Sequence, residues 1–88
     1  MAAYQIVFTP AALRQLASLD TPTQRRIARR IEALGTDPRA AGAEMLKGGA
    51  GESRIRVGDW RVIYVVRHHE LLVLVIKIGH RNDVYRPR

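Results

Sequence analysis

No cysteine occurs in the sequence, which excludes a disulfide framework and a zinc-knuckle ligand set. Stability and chemistry must therefore come from packing and from Arg, His, Tyr and the acids. Long apolar stretches are also missing. The longest, Leu71 to Ile76, is a strand's length, far below the ~20 residues of a membrane-spanning helix. The opening MAAYQIVFTP has neither the basic start nor the apolar centre of a secretion signal, so a cytoplasmic protein with no membrane partner is expected. Negative charge is scarce: eight acids face fifteen cations, a net charge of +7 that favours a polyanionic partner. Only two of those cations are lysine. The thirteen arginines carry permanent charge on a planar fork that pairs bidentately with phosphate, which favours RNA or DNA. No repeat or low-complexity tract interrupts the chain, and 88 residues read as one domain, 1–88. A chain this short buries roughly 60 to 65% of its unfolded surface, so its core is thin.

Periodicity then places the elements. Tyr4 to Phe8 is a short run of β-formers ending at Thr9-Pro10, a helix cap followed by a first-turn proline. Ala12, Leu13, Leu16 and Leu19 fall at helical spacing and form one apolar stripe, leaving Arg14, Gln15 and Ser18 outside it. Asp20-Thr21-Pro22 repeats the cap signal, and a second helix runs from about Pro22 to Leu34 with Ile27, Ile31 and Leu34 inward and Gly35 as its stop. Thr36 to Ser53, rich in glycine and without a period, reads as a long loop with room for one helical turn around Ala40 to Leu46. Arg54 to Val57, Trp60 to Arg67 and Leu71 to Ile78, separated by Gly58-Asp59 and His68-His69-Glu70, read as an antiparallel meander. The last strand is apolar on both faces, so it should be central, with the first strand on its far side. The expected fold is α+β, in the order β-α-α-β-β-β, with a helical hairpin on one face of a four-stranded, mostly antiparallel twisted sheet. Strand alternation projects Arg54 and Arg56 together from one sheet face, opposite Ile55 and Val57.

Three stretches carry a resemblance. Arg54-Ile55-Arg56, Gly58-Asp59-Trp60-Arg61-Val62-Ile63-Tyr64 and Gly79-His80-Arg81-Asn82-Asp83-Val84-Tyr85 resemble the RelE branch of the RelE/ParE toxins over nearly the whole chain. The resemblance implies a RelE-like microbial ribonuclease fold and a metal-independent, cofactor-free endoribonuclease (an mRNA interferase) that cuts messenger RNA on the ribosome and so inhibits translation. In that reaction the ribose 2′-hydroxyl attacks the adjacent phosphate and the 5′-oxygen departs. The chemistry needs a base for the 2′-proton, cations for the growing phosphate charge and a proton for the leaving oxygen. Carried over, Arg54 and Arg56 stand where the family commonly has two basic residues, and Arg61 on its phosphate-binding arginine. Arg81 stands on the arginine near the leaving group and Tyr85 on the tyrosine that stacks on or orients the nucleotide. Some members have lysine where this chain has Arg54 and Arg56, and arginine cannot shed a proton near neutral pH. His80 and Tyr85 are therefore competing candidates for the base, although His80 and Arg81 should point to opposite faces of an extended chain.

Simpler readings stand beside these. A strand-end arginine alone is more often solvated, or a partner for Asp59 or Asp83, than catalytic. Trp60 and Tyr64 share a strand face and read as sheet packing, and His68 and His69 as exposed turn residues. Arg25, Arg26, Arg29 and Arg30 of the second helix are either solvated or grip ribosomal RNA or acidic antitoxin residues. The implied partners are a RelB-like antitoxin, the ribosome and its RNA, the mRNA substrate, and operator DNA only through the antitoxin complex. Two rival functions are a ParE-like inhibitor of DNA gyrase and a catalytically degenerate toxin kept for antitoxin binding and autoregulation. The ribonuclease requires Arg54, Arg56, Arg61, Arg81 and Tyr85 together, and the rivals do not.

Overall fold

The computed structural model describes residues 3–39, 43–45 and 51–83. Strand β1 (Gln5–Phe8) leads into helices α1 (Pro10–Ala17) and α2 (Thr21–Thr36); β2 (Glu44–Met45), β3 (Glu52–Val57) and β4 (Trp60–Arg67) follow, and a 3-10 turn at His68–Glu70 precedes β5 (Leu72–His80). The five strands form one sheet in the order β1-β5-β4-β3-β2. β5 is flanked by β1, which runs parallel to it, and by β4, and all the other pairings are antiparallel. The fold class and the central position of the last strand follow the sequence reading. The strand count does not: Glu44 and Met45, within the stretch given room for a helical turn, pair with Arg54 and Ser53. Two residues are too few to leave a period in the sequence, and pairing with an existing sheet edge decides their conformation. The remainder of that stretch, 40–42 and 46, lies outside the described residues.

Both helices start as their sequences dictate. Thr9 and Asp20 hold extended backbone and accept the N–H groups of Ala12 and Thr23 at 3.1 Å, with proline in each first turn. These hydrogen bonds from Thr23 lower the pKa of the Asp20 carboxyl. Gly35 does not stop α2, which continues through Thr36. Its lack of a side chain serves a close approach instead: Tyr4 N–H donates to the Gly35 carbonyl at 2.7 Å, and a Cβ there would sit 3.1 Å from the Tyr4 oxygen.

The core lies between the helices and one sheet face. Ala12, Ile27, Ile31 and Leu34 meet Ile55, Val57, Val62, Tyr64, Val73, Val75 and Ile78 there. Leu13, expected in the apolar stripe, is 55% exposed. Gln15 turns inward in its place, toward β5, which contains a bulge: Ile63 pairs with Lys77 and Tyr64 with Val75, leaving Ile76 without a partner on β4. Thr9 Oγ1 donates to the Ile76 carbonyl, and Gln15 Oε1 accepts from Ile78 N–H, both at 2.8 Å. The start of α1 thus satisfies backbone groups of β5 beyond Val75, where its pairing with β1 has ended. By the same register the opposite, open face carries Arg54, Arg56, Arg61 and Lys77 toward one end and Val7, Val65, Leu72 and Leu74 toward the other.

Candidate functional site

The β3–β4 hairpin builds the site. Val57 faces Trp60 across the turn Gly58–Asp59, and Gly58 has φ of 62°. A II′ turn of this kind takes glycine at its first central position. The resulting register sets Arg56 directly opposite Arg61, with Arg54 two residues earlier on the same face. Side chains opposite one another on neighbouring strands lie about 5 Å apart at Cβ, and like charges so placed destabilise a sheet. Folding does not favour this pair.

Each arginine is anchored differently. Arg61 donates from Nη1 to the carbonyls of Gly58 and Trp60, both at 3.0 Å, which fixes the guanidinium at the turn and leaves other donors of the fork for an anion. Arg54 is half-buried and ion-paired to Glu44, its register partner on β2. That hydrogen bond, then the Arg54 charge, and to a smaller extent the Arg56 charge, hold the Glu44 carboxyl below its ordinary range. Arg81 follows β5 directly, and its N–H donates to the Asp59 carbonyl at 2.8 Å, which pins it beside the hairpin turn. Its Nε lies 3.9 Å from Asp59 Oδ1 with both side chains largely exposed, a contact of little weight.

The remaining candidates lie elsewhere. His80 pairs with Trp60, and its ring meets the indole edge-on at 5.6 Å. Trp60 faces Val57 on the helix side, so the structure separates His80 from the row Arg54, Arg56 and Arg61. Tyr85 lies outside the described residues. On α2, Arg25, Arg26 and Arg29 are exposed and Arg30 is half-buried. The guanidinium of Arg26 reaches the hairpin, where a Cβ on Gly58 would lie 3.3 Å from its Nη1. Tyr64 is fully buried, and its hydroxyl donates to the Pro38 carbonyl at 2.9 Å beside a cavity of about 440 Å³ on the helix side, lined by Ala43, Met45, Ser53, Val66 and His68 among others. His68 and His69 are exposed, and His68 Nδ1 lies 2.9 Å from the Tyr4 hydroxyl. No three His, Asp or Glu side chains converge as a metal-binding group among the described residues.

A family model described as the ParE toxin of type II toxin–antitoxin systems, parDE, matches residues 6–85. The chain belongs to this RelE/ParE toxin family. It is 30% identical over 77 residues to toxin RelE1 of Methanocaldococcus jannaschii, covering 84% of this chain and 86% of that protein. It resembles the toxin–antitoxin complex RelBE2 of Mycobacterium tuberculosis with a TM-score of 0.81 and 25% identity, over 94% of this chain and 97% of that one. The archaeal RelE–RelB complex of Pyrococcus horikoshii matches with a TM-score of 0.80 and 25% identity, over 96% of this chain and 100% of that one.

Within this RelE-type toxin, the residue that sequence reasoning missed is Glu44. It is an acid in a glycine-rich stretch, on a strand too short to betray its register, and only the pairing with β3 brings it to Arg54. The site therefore holds a row of guanidinium groups and one ionised carboxylate.

Proposed function

We propose that this toxin is a ribosome-dependent endoribonuclease that cleaves messenger RNA by attack of the ribose 2′-hydroxyl, and so stops translation. The observation that carries this reading is the row Arg54, Arg56 and Arg61 on one sheet face, with Glu44 at one end and Arg81 held beside the turn. Guanidinium forks match the phosphate oxygens on which charge grows as the 2′-oxygen bonds to phosphorus. Glu44, ionised beside Arg54, takes the 2′-proton and stands in the place sought for His80 or Tyr85. As the bond from phosphorus to the 5′-oxygen breaks, Arg81 meets the charge on that oxygen, which takes its proton from solvent. The products are a 2′,3′-cyclic phosphate and a 5′-hydroxyl.

The open face is shallow, so the ribosome presents the codon and the basic surface docks on ribosomal RNA. The structurally similar toxins above were solved as complexes with antitoxins. We assign this chain the same kind of partner: an acidic, RelB-like segment that covers the arginine row and, in complex, brings the toxin to operator DNA. No helix is long and apolar enough to cross a membrane among the described residues.

The family model bears the name ParE, which favours a second reading, inhibition of DNA gyrase. Mapping RNA ends in cells after induction of the toxin alone separates the two. Cuts confined to translated reading frames support the nuclease; gyrase-dependent DNA breaks with intact messages overturn it.

A further inference from the structure

Arg26 stands apart from the other arginines of α2. An ideal Cβ on Gly58 would lie 3.3, 3.4 and 3.5 Å from its Nη1, Nη2 and Cζ. The guanidinium therefore fills the space beside Gly58 where a side chain would project. On the same residue, the carbonyl of Gly58 accepts from Arg61 Nη1 at 3.0 Å. One glycine is thus bracketed by two guanidinium groups that arrive from different elements, α2 and β4. Arg26 has no carboxylate partner among the described residues, and the only acid in the turn, Asp59, is beside Arg81.

Arg61 is bonded to the turn carbonyls, whereas Arg26 makes no ion pair among the described residues. Two permanent charges converge on a turn whose one acid, Asp59, lies beside Arg81, with Arg56 nearby, and a bound anion would relieve their repulsion. Glycine suits this position for its turn conformation at φ 62°, and the Arg26 guanidinium sits where a side chain would begin.

We propose that Arg26 is a phosphate-binding residue for the substrate RNA strand, gripping a phosphate next to the scissile one from the helix side of the hairpin. The proposal rests on the nuclease reading and deepens it. RNA crosses the tip of the β3–β4 turn with Arg61 on one side and Arg26 on the other, and Arg26 positions the strand without touching the reacting atoms. It therefore acts on binding and not on the chemical step.

The test uses the whole toxin and a fluorescently labelled single-stranded RNA oligonucleotide, 2′-O-methylated throughout so that it cannot be cut. Anisotropy titrations at several salt concentrations compare Arg26→Gln with Arg67→Gln, an equal charge change at the far end of β4. Arg26→Gln weakens binding about tenfold, the weight of one charged hydrogen bond, and flattens the slope of log affinity against log salt by about 0.7. Arg67→Gln changes affinity less than about threefold. Gly58→Ala keeps every charge but crowds the Arg26 guanidinium and strains the turn, and also weakens binding; Arg26→Lys, which spares the turn, falls between wild type and Arg26→Gln because it keeps the charge and loses the planar fork. On ribosomes programmed with cleavable message, Arg26→Gln raises the half-saturating ribosome concentration and leaves the maximal single-turnover rate within about twofold.

Equal losses for Arg26→Gln and Arg67→Gln overturn the proposal. So does a loss seen only on the ribosome, which would make ribosomal RNA the ligand. Failure of the nuclease reading is recognised separately: wild-type toxin then binds the oligonucleotide through Arg26 and leaves the programmed message uncut.

Discussion

Glu44 and Arg54, ten residues apart in the chain, face each other across β2 and β3 as an ion pair on the open side of the sheet. The pairing lowers the pKa of the Glu44 carboxyl. A depressed carboxyl pKa means that the charged form is present at all higher pH and is lost only as pH falls through the folded-state value. With an ordinary glutamate near 4.3, that loss occurs in the acid range. If Glu44 takes the 2′-proton, the single-turnover rate is flat from about pH 5 through neutrality, and Glu44→Gln lowers it by on the order of 100-fold. His80→Gln then costs less than about tenfold. A rate that instead climbs with pH to a plateau, and loses that inflection in His80→Gln, returns the role to the histidine. A climb that continues toward alkaline pH and is removed by Tyr85→Phe assigns it to the tyrosine.

Arg56 sits opposite Arg61 with no folding benefit from the pair. Replacing Arg56 with threonine removes the repulsion and adds a good strand former. Arg56→Thr should stabilise the fold by about 0.2–1 kcal/mol, read as a rise of a few degrees in Tm, since ~1 kcal/mol moves Tm by about 4–8 °C in a domain this size. Cleavage by the same variant should fall. A variant that is both less stable and fully active would show that Arg56 serves the sheet.

Much of this was legible in the sequence, and the misses share a cause. Caps at Thr9 and Asp20, the inward Ile27, Ile31 and Leu34, and the hairpin at Gly58–Asp59 follow from local chemistry that tertiary contacts reinforce. Gln15 and Leu13 exchange their expected places because Gln15 accepts from Ile78 on β5, a distant partner that no helical period reports. Gly35 reads as a helix stop in the sequence, whereas in the fold it makes room for the close approach of Tyr4. Strand alternation placed Arg54 and Arg56 together, whereas Glu44 joined them only through pairing with a distant strand.

Cations at developing charge should lower the rate when removed, and cations that only dock should lower affinity. Arg61→Ala and Arg81→Ala should each slow single-turnover cleavage on programmed ribosomes by about 100-fold or more, comparable to removing an oxyanion-type donor. Arg25→Ala and Arg29→Ala, exposed on α2, should weaken ribosome binding and reduce its salt dependence while sparing the saturated rate. The assignment is wrong if the helix substitutions abolish chemistry at saturating ribosome and the other two leave it intact.

The last prediction concerns how Glu44 is held in place. Tyr64 is wholly buried, and its hydroxyl donates to the carbonyl of Pro38, at the start of the segment that leads to β2. Burial, reinforced by the nearby Asp37 charge, raises the phenol's pKa, so the donor stays protonated across the working pH range. Tyr64→Phe keeps the packed ring and deletes only that bond, leaving the Pro38 carbonyl unpaired at a cost of about 0.5–1.5 kcal/mol, which chemical denaturation measures. If this tether sets the position of β2, the variant also slows cleavage by loosening Glu44, and the loss is absent when Glu44 is already glutamine. The double variant Tyr64→Phe with Glu44→Gln should then be no slower than Glu44→Gln alone, a coupling that independent sites do not show. Multiplicative losses in the double variant would mean that Tyr64 supports the fold and has no part in placing the carboxylate.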